Sequence, residues 1–358
     1  SAALGACKGT AKLRARESRR GDAPAGVARN DHATYLNEGG LRCRLGDRLE
    51  LSAGRELLQW GSSFFLSPSN PFIIDTGKTN PIQQLPGKDL WQAQWSGDGG
   101  VTFAVIRNGR QNGQETDPRN FSPTSAVKVD WMGEQASAGA IVSRRDNGVR
   151  RLGLYGTLPL SKAALVYTDL SAGRGNAGWF AERDAGPLGW RLAQSKLDGD
   201  GTLFYSLLAG AAYTFESGWT LTSEYLRGNE GYDRAERQAY NSAAGSAARA
   251  FRAMDGGSGA AAALLGGALS PNLPYLGRDY LFLQLARNEW NDKGDAALRY
   301  VRPLGGGGEG ALWSGSLTYY LSNHIQGFLV ASRNVGGERS DFGRLIHSSV
   351  QAGLRMTY

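Results

Sequence analysis

The sequence has no apolar run long enough to form a transmembrane helix. Such a helix needs about 18–20 mostly apolar residues, and the most apolar stretch, residues 260–269, is shorter and rich in small residues. The mean hydropathy of the chain is −0.38. No linker rich in proline, serine or like charges divides it. We therefore exclude a helical membrane protein and predict a single domain over residues 1–358.

Residues that carry metal or nucleophilic chemistry are scarce. The two cysteines are too few for a disulfide scaffold, and the histidines His32, His324 and His347 lack the spacing of a metal site. Motifs for a serine hydrolase, a calcium loop or a phosphate-binding loop do not occur. We therefore expect no enzyme activity, no cofactor and no bound metal.

What the chain does have is alternation of apolar and polar residues along its whole length. From Leu203 to Phe215 every second residue is apolar, aromatic or alanine, and the pattern resumes after a short turn at 216–218. Similar hairpins occupy 33–58 and 311–333. Strands of about 9–13 residues suit a tilted membrane strand and are about twice as long as soluble strands. The pattern predicts an all-β fold, a transmembrane antiparallel β-barrel with every second residue facing lipid.

The connections between these segments alternate in length. Short turns fall at 46–47, 97–100, 133–135, 159–162, 184–187, 216–218, 289–294 and 322–324. The remaining connections include all the long ones, at 18–32, 60–88, 107–123, 227–278 and 334–345. Outer-membrane barrels have an even number of strands, short periplasmic turns and long external loops. We therefore predict about 18 strands, or 16, with both termini on the periplasmic side.

The end of the chain has the same alternation, from Val350 to the terminal Tyr358. This ending resembles the C-terminal signature of outer-membrane barrels, whose last strand closes the barrel and ends in an aromatic residue. The resemblance implies that Tyr358 is an assembly signal.

A second resemblance lies in the strand Gly54-Arg55-Glu56, which leads to Trp60-Gly61 and to a segment rich in proline and asparagine that ends at Phe72. It is similar to a group of proteobacterial outer-membrane barrels that includes porin-like and alginate-export-type proteins. The similarity covers mainly residues 36–72 and the last strand. It implies about this number of strands and an arginine-lined pore, and no individual pore residue is carried over from it.

Charge follows the same alternation, and the formal net charge is +7. Because the apolar set faces lipid, the charged set is predicted to line the lumen. The basic members are Lys8, Lys12, Arg14, Arg16, Arg42, Arg44, Lys128, Arg151, Arg191, Arg299 and Arg355. The acidic members are Glu38, Glu50, Glu56, Asp130 and Glu224. An excess of cations in a narrow passage concentrates anions; pairing with inward loops, or simple solvation of the wall, is the alternative.

Two long connections are candidates for segments that fold into the lumen. Residues 60–88 are too apolar at Phe64, Phe65 and Phe72 for a free external loop, so we expect this loop to fold inward as a constriction or to pack on the rim. Residues 227–278 are too long for an idle connection, and 233–254 have helical propensity. This segment is either a lid or plug, or an unstructured external loop.

The two cysteines allow a test of the strand register. If strands 5–17 and 33–45 form a hairpin, paired residue numbers sum to about 50, which places Cys7 opposite Cys43. Directly opposed Cβ atoms are about 4.5–5.5 Å apart, close to disulfide geometry. We predict this adjacency, with a disulfide or two lipid-facing thiols as its two outcomes.

These patterns predict an integral outer-membrane channel that passes small hydrophilic, preferentially anionic solutes. The alternatives are an exporter of an anionic exopolysaccharide and a plugged structural or partner-binding barrel in a larger envelope complex. The expected partners are outer-membrane lipid, the anionic solute or polysaccharide, and a periplasmic protein in the case of a complex. No nucleic acid is expected, because the basic residues recur singly along many segments instead of clustering.

Overall fold

The computed structural model describes residues 7–19, 30–76, 78, 85, 87–109, 122–197, 201–253, 259–269, 271–273, 275–305, 310–337, 340–342 and 348–356. Its main element is an antiparallel sheet of 16 strands. Each strand pairs with its neighbour in sequence, except that β9 pairs directly with β12. In the described part of the chain, β1 and β18 are the edge strands of this sheet.

The elements have the following bounds. The first nine strands are β1 Cys7–Arg19, β2 Asn30–Leu45, β3 Leu49–Glu56, β4 Lys88–Ser96, β5 Val101–Asn108, β6 Thr124–Met132, β7 Ser137–Arg145, β8 Arg150–Pro159 and β9 Ala164–Arg174. A separate hairpin of β10 Phe180–Arg183 and β11 Trp190–Ala193 follows. The sheet continues with β12 Leu203–Thr214, β13 Thr220–Gly228, β14 Asp279–Arg287, β15 Gly294–Leu304, β16 Ala311–Tyr320, β17 Ile325–Val335 and β18 Ser348–Met356. Two helices, α1 Arg234–Ala253 and α2 Gly259–Leu269, lie between β13 and β14.

The all-β prediction is confirmed, and the described strands number 18 in all, but 16 of them form the wall. The predicted turn at 184–187 belongs to the β10–β11 hairpin, which lies in the connection between β9 and β12. With four residues each, β10 and β11 are too short to cross a membrane. Because β10 and β11 are both outside the wall, short and long connections still alternate between successive wall strands.

The outward face of the sheet differs from the surface of a soluble protein, because its exposed side chains are largely apolar. On β12, Leu203 and Leu207 are 59% and 39% exposed, whereas Phe204 and Leu208 are 3% and 0% exposed. The exposed face is therefore apolar, as expected for a surface that contacts lipid. The predicted outward orientation of the odd-numbered residues from 203 to 211 is confirmed, and Glu224 faces inward as predicted.

The two ends of the sheet differ in the lengths of their connections, whereas exposed outward aromatic residues occur at both ends. At the end with the short turns, aromatic residues are exposed on the outward face at Trp95, Trp131, Tyr213 and Tyr319. Aromatic girdles of this kind lie at the membrane interface of barrels. Because outer-membrane barrels have short periplasmic turns and long external loops, we call the end with the short turns periplasmic and the end with the long connections external.

The first hairpin has the predicted register. Cys7 lies opposite Cys43 and Lys12 opposite Glu38, so paired numbers sum to 50 as far as a bulge between Lys12 and Leu13. The sulfurs of Cys7 and Cys43 are bonded, at 2.08 Å. This covalent link joins the periplasmic ends of β1 and β2.

The long connection between β13 and β14 contains α1 and α2, and α1 lies within residues 233–254, for which the composition predicts a helix. Helix α1 begins with a capping box, in which the Asp233 backbone N–H donates to Glu236 (2.8 Å) and the Glu236 N–H donates to Asp233 (2.9 Å). The buried rings of Phe180, Tyr232 and Tyr240 join the helices to the β10–β11 hairpin. We call these helices and the hairpin the external cap. In the described residues, no helix is long and apolar enough to cross a membrane.

Candidate channel lumen

The connection from β3 to β4 folds into the lumen. We call its continuously described part, residues 57–76, the inward loop. Asn70 organises it, because its side-chain oxygen accepts the N–H groups of Phe72 and Ile73 (3.0 Å each) and its amide donates to the Leu58 carbonyl (2.9 Å). Asparagine commonly makes such local bonds to the backbone, and the flanking prolines prevent strand formation.

Glu224 of β13 holds one side of the inward loop. Its two carboxylate oxygens accept the backbone N–H groups of Phe64 (2.6 Å) and Phe65 (2.8 Å). The Tyr167 hydroxyl of β9 donates to the same carboxylate at 2.6 Å. Glu224 is 1% exposed, and a buried carboxylate requires such donors to offset its lost hydration.

Asp169 of β9 holds the next stretch of the loop in the same way. It accepts the Ser67 hydroxyl at 2.7 Å and the Ser69 backbone N–H at 2.6 Å. Asp169 is also 1% exposed. Two inward carboxylates on separate strands therefore fix the loop through its own backbone and hydroxyl groups.

Aromatic packing completes the attachment at both sides of the lumen. Phe65 stacks on Phe282 of β14 at 5.4 Å and contacts Tyr275 at 4.6 Å between ring centroids. Burial raises the pKa of Tyr275 well above its ordinary value, so its phenol stays protonated. Trp60 stacks on Tyr155 of β8 at 6.3 Å. The inward loop therefore reaches from β3 across the lumen to β14.

A glycine on the wall allows one close approach of the loop. A Cβ atom at Gly153 of β8 would lie 2.8 Å from the Ser69 carbonyl oxygen and 2.9 Å from the Ser69 Cα. Both distances are shorter than real Cβ contacts, so the absence of a side chain at Gly153 is what allows the backbone of Ser69 to lie against the wall.

A cavity of about 290 Å³ lies between the inward loop, the external ends of wall strands β7 to β9, β12 and β13, and the connections that lead to the external cap. Arginines from the wall, Arg145 and Arg151, and Arg278 from the connection that carries the helices line it together with one acid, Glu230. Arg151 pairs with Glu230 at 3.0 Å. Arg145 donates to the Pro71 carbonyl at 3.3 Å and forms no ion pair with an acid in the described part of the chain. The external face of the inward loop is therefore bordered by cationic groups.

The structure places most of the predicted basic residues on the inward face of the sheet. They are Lys8, Lys12, Arg42, Arg44, Lys128, Arg151, Arg299 and Arg355. Arg191 is a correction: it lies on β11 in the external cap and pairs with Glu182 at 2.8 Å, so it does not line the wall. The side chains of Arg14 and Arg16 and the whole of Tyr358 lie outside the described residues.

Several of these cations are paired with the predicted acids. Lys12 lies 2.9 Å from Glu38, and Arg42 lies 3.4 Å from Glu50 and 3.3 Å from Glu56. Elsewhere on the wall, Lys128 pairs with Asp130 (2.7 Å), and Arg299 donates to Gln284 (2.8 Å) and Ser316 (3.0 Å). The excess of positive charge along the first strands is therefore smaller than a count of cations implies.

Arg145 is the functional candidate that sequence reasoning missed. It is the last residue of β7 and shares its inward parity with Ile141 and Ser143, which are buried. The adjacent Arg144 has the opposite parity and is exposed. When the alternation is extended to the end of β7, it places Arg145 on the inward face and Arg144 on the outward face.

A group of His, Cys, Asp and Glu side chains that could hold a metal ion does not occur in the described residues.

Comparison with known proteins places the fold. No protein-family model matches the chain, and no curated protein matches its sequence. Among solved structures, Pseudomonas aeruginosa OccK10 (OpdN) aligns with a TM-score of 0.54 and 14% identity over 98% of this chain and 99% of that chain. Pseudomonas aeruginosa OpdK, solved with vanillate, aligns with a TM-score of 0.53 and 12% identity over 92% and 80%. These matches give no support to the alginate-export grouping. The chain has the fold of the OprD-like outer-membrane β-barrels.

Proposed function

We propose that this protein is an integral outer-membrane channel that passes small hydrophilic solutes and prefers anionic ones. The observation that carries the proposal is the cavity of about 290 Å³ outside the inward loop, with Arg145, Arg151 and Arg278 in its lining. Its volume is close to the lower end for small-molecule sites. A carboxylate that enters from the external side meets guanidinium groups before it meets the constriction.

The shape of the lumen supports a small solute over a polymer. The inward loop crosses from β3 to β14 and is bonded to Asp169 and Glu224. A channel narrowed in this way suits a solute of a few rings better than an exopolysaccharide chain. The comparison with OpdK points the same way, because vanillate is a small aromatic carboxylate.

The charge preference is expected to come mainly from the cavity. Arg145 lacks an acidic partner in the described chain, whereas Lys12 and Arg42 are paired with glutamates. A cation without a paired acid contributes more to the potential in a confined passage than one neutralised by a neighbour. The proposal therefore assigns the larger share of anion preference to Arg145, because Arg151 is paired with Glu230 and Arg278 with Asp233 and Glu236.

Reversal potentials in a planar bilayer with a KCl gradient test this proposal. The variant Arg145→Gln/Arg151→Gln should move the reversal potential towards cation preference, most strongly at low salt. Replacing Arg14, Arg16, Arg42 and Arg44 with serine measures the share of the first strands in the same assay. A protein that does not conduct at all would support the plugged-barrel alternative, and an unchanged potential in both variants would overturn the anion preference.

A further inference from the structure

A row of arginines lies on the outward face of the sheet at its external end. Arg144 of β7 is directly opposite Arg150 of β8, and Arg150 is directly opposite Arg174 of β9. All three are exposed. We call these three residues the arginine row. Directly opposed side chains on neighbouring strands have Cβ atoms about 4.5–5.5 Å apart, so three positive charges stand side by side.

Their outward orientation follows from the alternation within each strand. Val142 is 60% exposed and shares the parity of Arg144, while Leu152 is 45% exposed and shares the parity of Arg150. The residues of opposite parity, Ile141 and Tyr155, are buried against the contents of the lumen. The arginine row therefore belongs to the lipid-facing surface and not to the channel.

The charges of the row are not balanced by the protein. In the described residues, none of the three guanidinium groups pairs with an acidic side chain. The acid of the adjacent external turn, Asp146, is engaged by Arg107 of β5 at 3.0 Å. Arg107 also donates to Ser125, which lies opposite Arg144. Like charges in direct opposition destabilise a sheet, so an anion from outside the chain would relieve a real cost.

The height of the row on the barrel indicates which anion that is. One step towards the periplasm, the outward level consists of Val142, Leu152 and Ala172, and the next consists of Ala140, Leu154 and Leu170. Successive outward levels are two residues, or about 6.6–6.8 Å, apart along a strand. The row therefore lies one level beyond the apolar band, where the polar headgroups of the external leaflet begin.

At the opposite end of the same three strands the outward strand positions are uncharged, and the one cation nearby in the described residues, Lys162, lies in the turn between β8 and β9. These outward positions are Ala138, Leu158 and Val166. The row therefore belongs to the external end of this surface, where β7 and β8 are joined by the short turn 146–149.

We propose that the arginine row binds phosphate groups of phosphorylated lipids in the external leaflet. Guanidinium groups match phosphate oxygens in charge and in bidentate geometry, and three adjacent ones suit a headgroup that carries more than one phosphate. The proposal rests on the membrane orientation assigned with the proposed function. It adds a lipid contact on the outer wall, separate from the solute path.

Native mass spectrometry of the detergent-solubilised full chain, titrated with lipid A bearing two phosphates, tests the proposal. The variant Arg144→Gln/Arg150→Gln/Arg174→Gln should bind at least about tenfold more weakly than the parent protein. The matched control, Arg234→Gln/Arg249→Gln/Arg252→Gln, removes the same charge from exposed positions on α1 and should bind as the parent does. Heat-modifiable migration verifies that both variants are folded.

Two outcomes would overturn the lipid site. One is equal binding by the row variant and the control, and the other is equal affinity of the parent for lipid A from which both phosphates have been removed. Conductance measured in phosphatidylcholine bilayers tests the proposed channel function independently of the lipid site. The row variant should conduct normally there, and a parent protein that binds lipid A but does not conduct would contradict the channel and leave the lipid site standing.

Discussion

The inward face of the wall differs between two regions. From β5 to β14 it carries large buried side chains, such as Tyr155, Leu208 and Phe282, and these pack against the inward loop or the cluster around it. Along β18, β1, β2 and β3 the inward positions include the exposed residues Gln351, Lys8 and Arg42. We call these the filled side and the open side. The size of the inward side chains thus marks where the loop lies and where water and solute remain.

Acidic residues show the same division. On the filled side, Asp169 and Glu224 are buried and accept N–H and O–H groups of the loop. On the open side, Glu50 and Glu56 pair with the exposed Arg42. The same residue type therefore fastens a loop in one region and neutralises cations in the other. The mutations that follow test this difference between the two sides, from the largest expected effect to the smallest.

The largest effect is expected from Asp169→Asn combined with Glu224→Gln. Each amide presents an NH₂ group where a carboxylate oxygen had accepted a loop donor, and each buried group left without a partner costs about 1–3 kcal/mol. The inward loop should be released, which raises single-channel conductance and exposes the loop to protease. The control is Glu38→Gln on the open side, whose pair with Lys12 is exposed. A double variant with parent conductance and protease resistance would show that the loop is held by its apolar contacts alone.

The next effect compares the two faces of β12. Leu208 is 0% exposed on the filled side, so Leu208→Ala should lower the free energy of unfolding by about 2–5 kcal/mol. The neighbouring Leu207 faces lipid and is 39% exposed, so Leu207→Ala removes fewer contacts within the protein. Urea unfolding of both variants in the same lipid gives the comparison. Equal losses at the two sites would contradict the assignment of faces.

A smaller effect is expected where the loop touches the wall through a glycine. Gly153→Ala places a methyl group against the backbone of Ser69 and the Ile141 side chain, and such overpacking costs about 1–3 kcal/mol. Gly156 is on the same strand with outward parity, and a Cβ there would lie 3.4 Å from its nearest neighbour, the Ser137 carbonyl oxygen. Gly156→Ala is therefore the control. Thermal migration shifts measured for both variants should differ, and equal shifts would place Ser69 away from the wall.

The wall could be predicted from the sequence because its strands share one pattern, in which outward and inward residues alternate. Alternation fixed which residues of β12 face lipid, and the sum of paired numbers placed Cys7 opposite Cys43. The predicted number of about 18 strands counted β10 and β11 in the wall, and the alternative number of 16 is the one that the wall has. Strand length, four residues each, distinguishes the β10–β11 hairpin from a wall hairpin.

The contents of the lumen were harder to predict. Phe64 and Phe65 signalled an inward loop, but alternation does not tell which wall carboxylates meet it. Glu224 was expected to face the lumen, but its bonds to the backbone N–H groups of Phe64 and Phe65, at 2.6 and 2.8 Å, were not predicted. Such contacts join residues about 160 positions apart in sequence, so they depend on the tertiary fold and not on local pattern.

The smallest effect is expected from Arg42→Gln on the open side. Arg42 is 56% exposed and is shared by Glu50 and Glu56, so its removal should change the free energy of unfolding by about 0–1 kcal/mol. Selectivity should respond more than stability, because Glu56 loses the cation with which it pairs and Glu50 keeps only Arg44, at 4.0 Å. The reversal potential should therefore shift slightly towards cations at low salt and return to the parent value at high salt, where screening shortens the reach of both charges. A shift as large as that of Arg145→Gln would mean that the open side controls selectivity, and the division of roles between the two sides would have to be reversed.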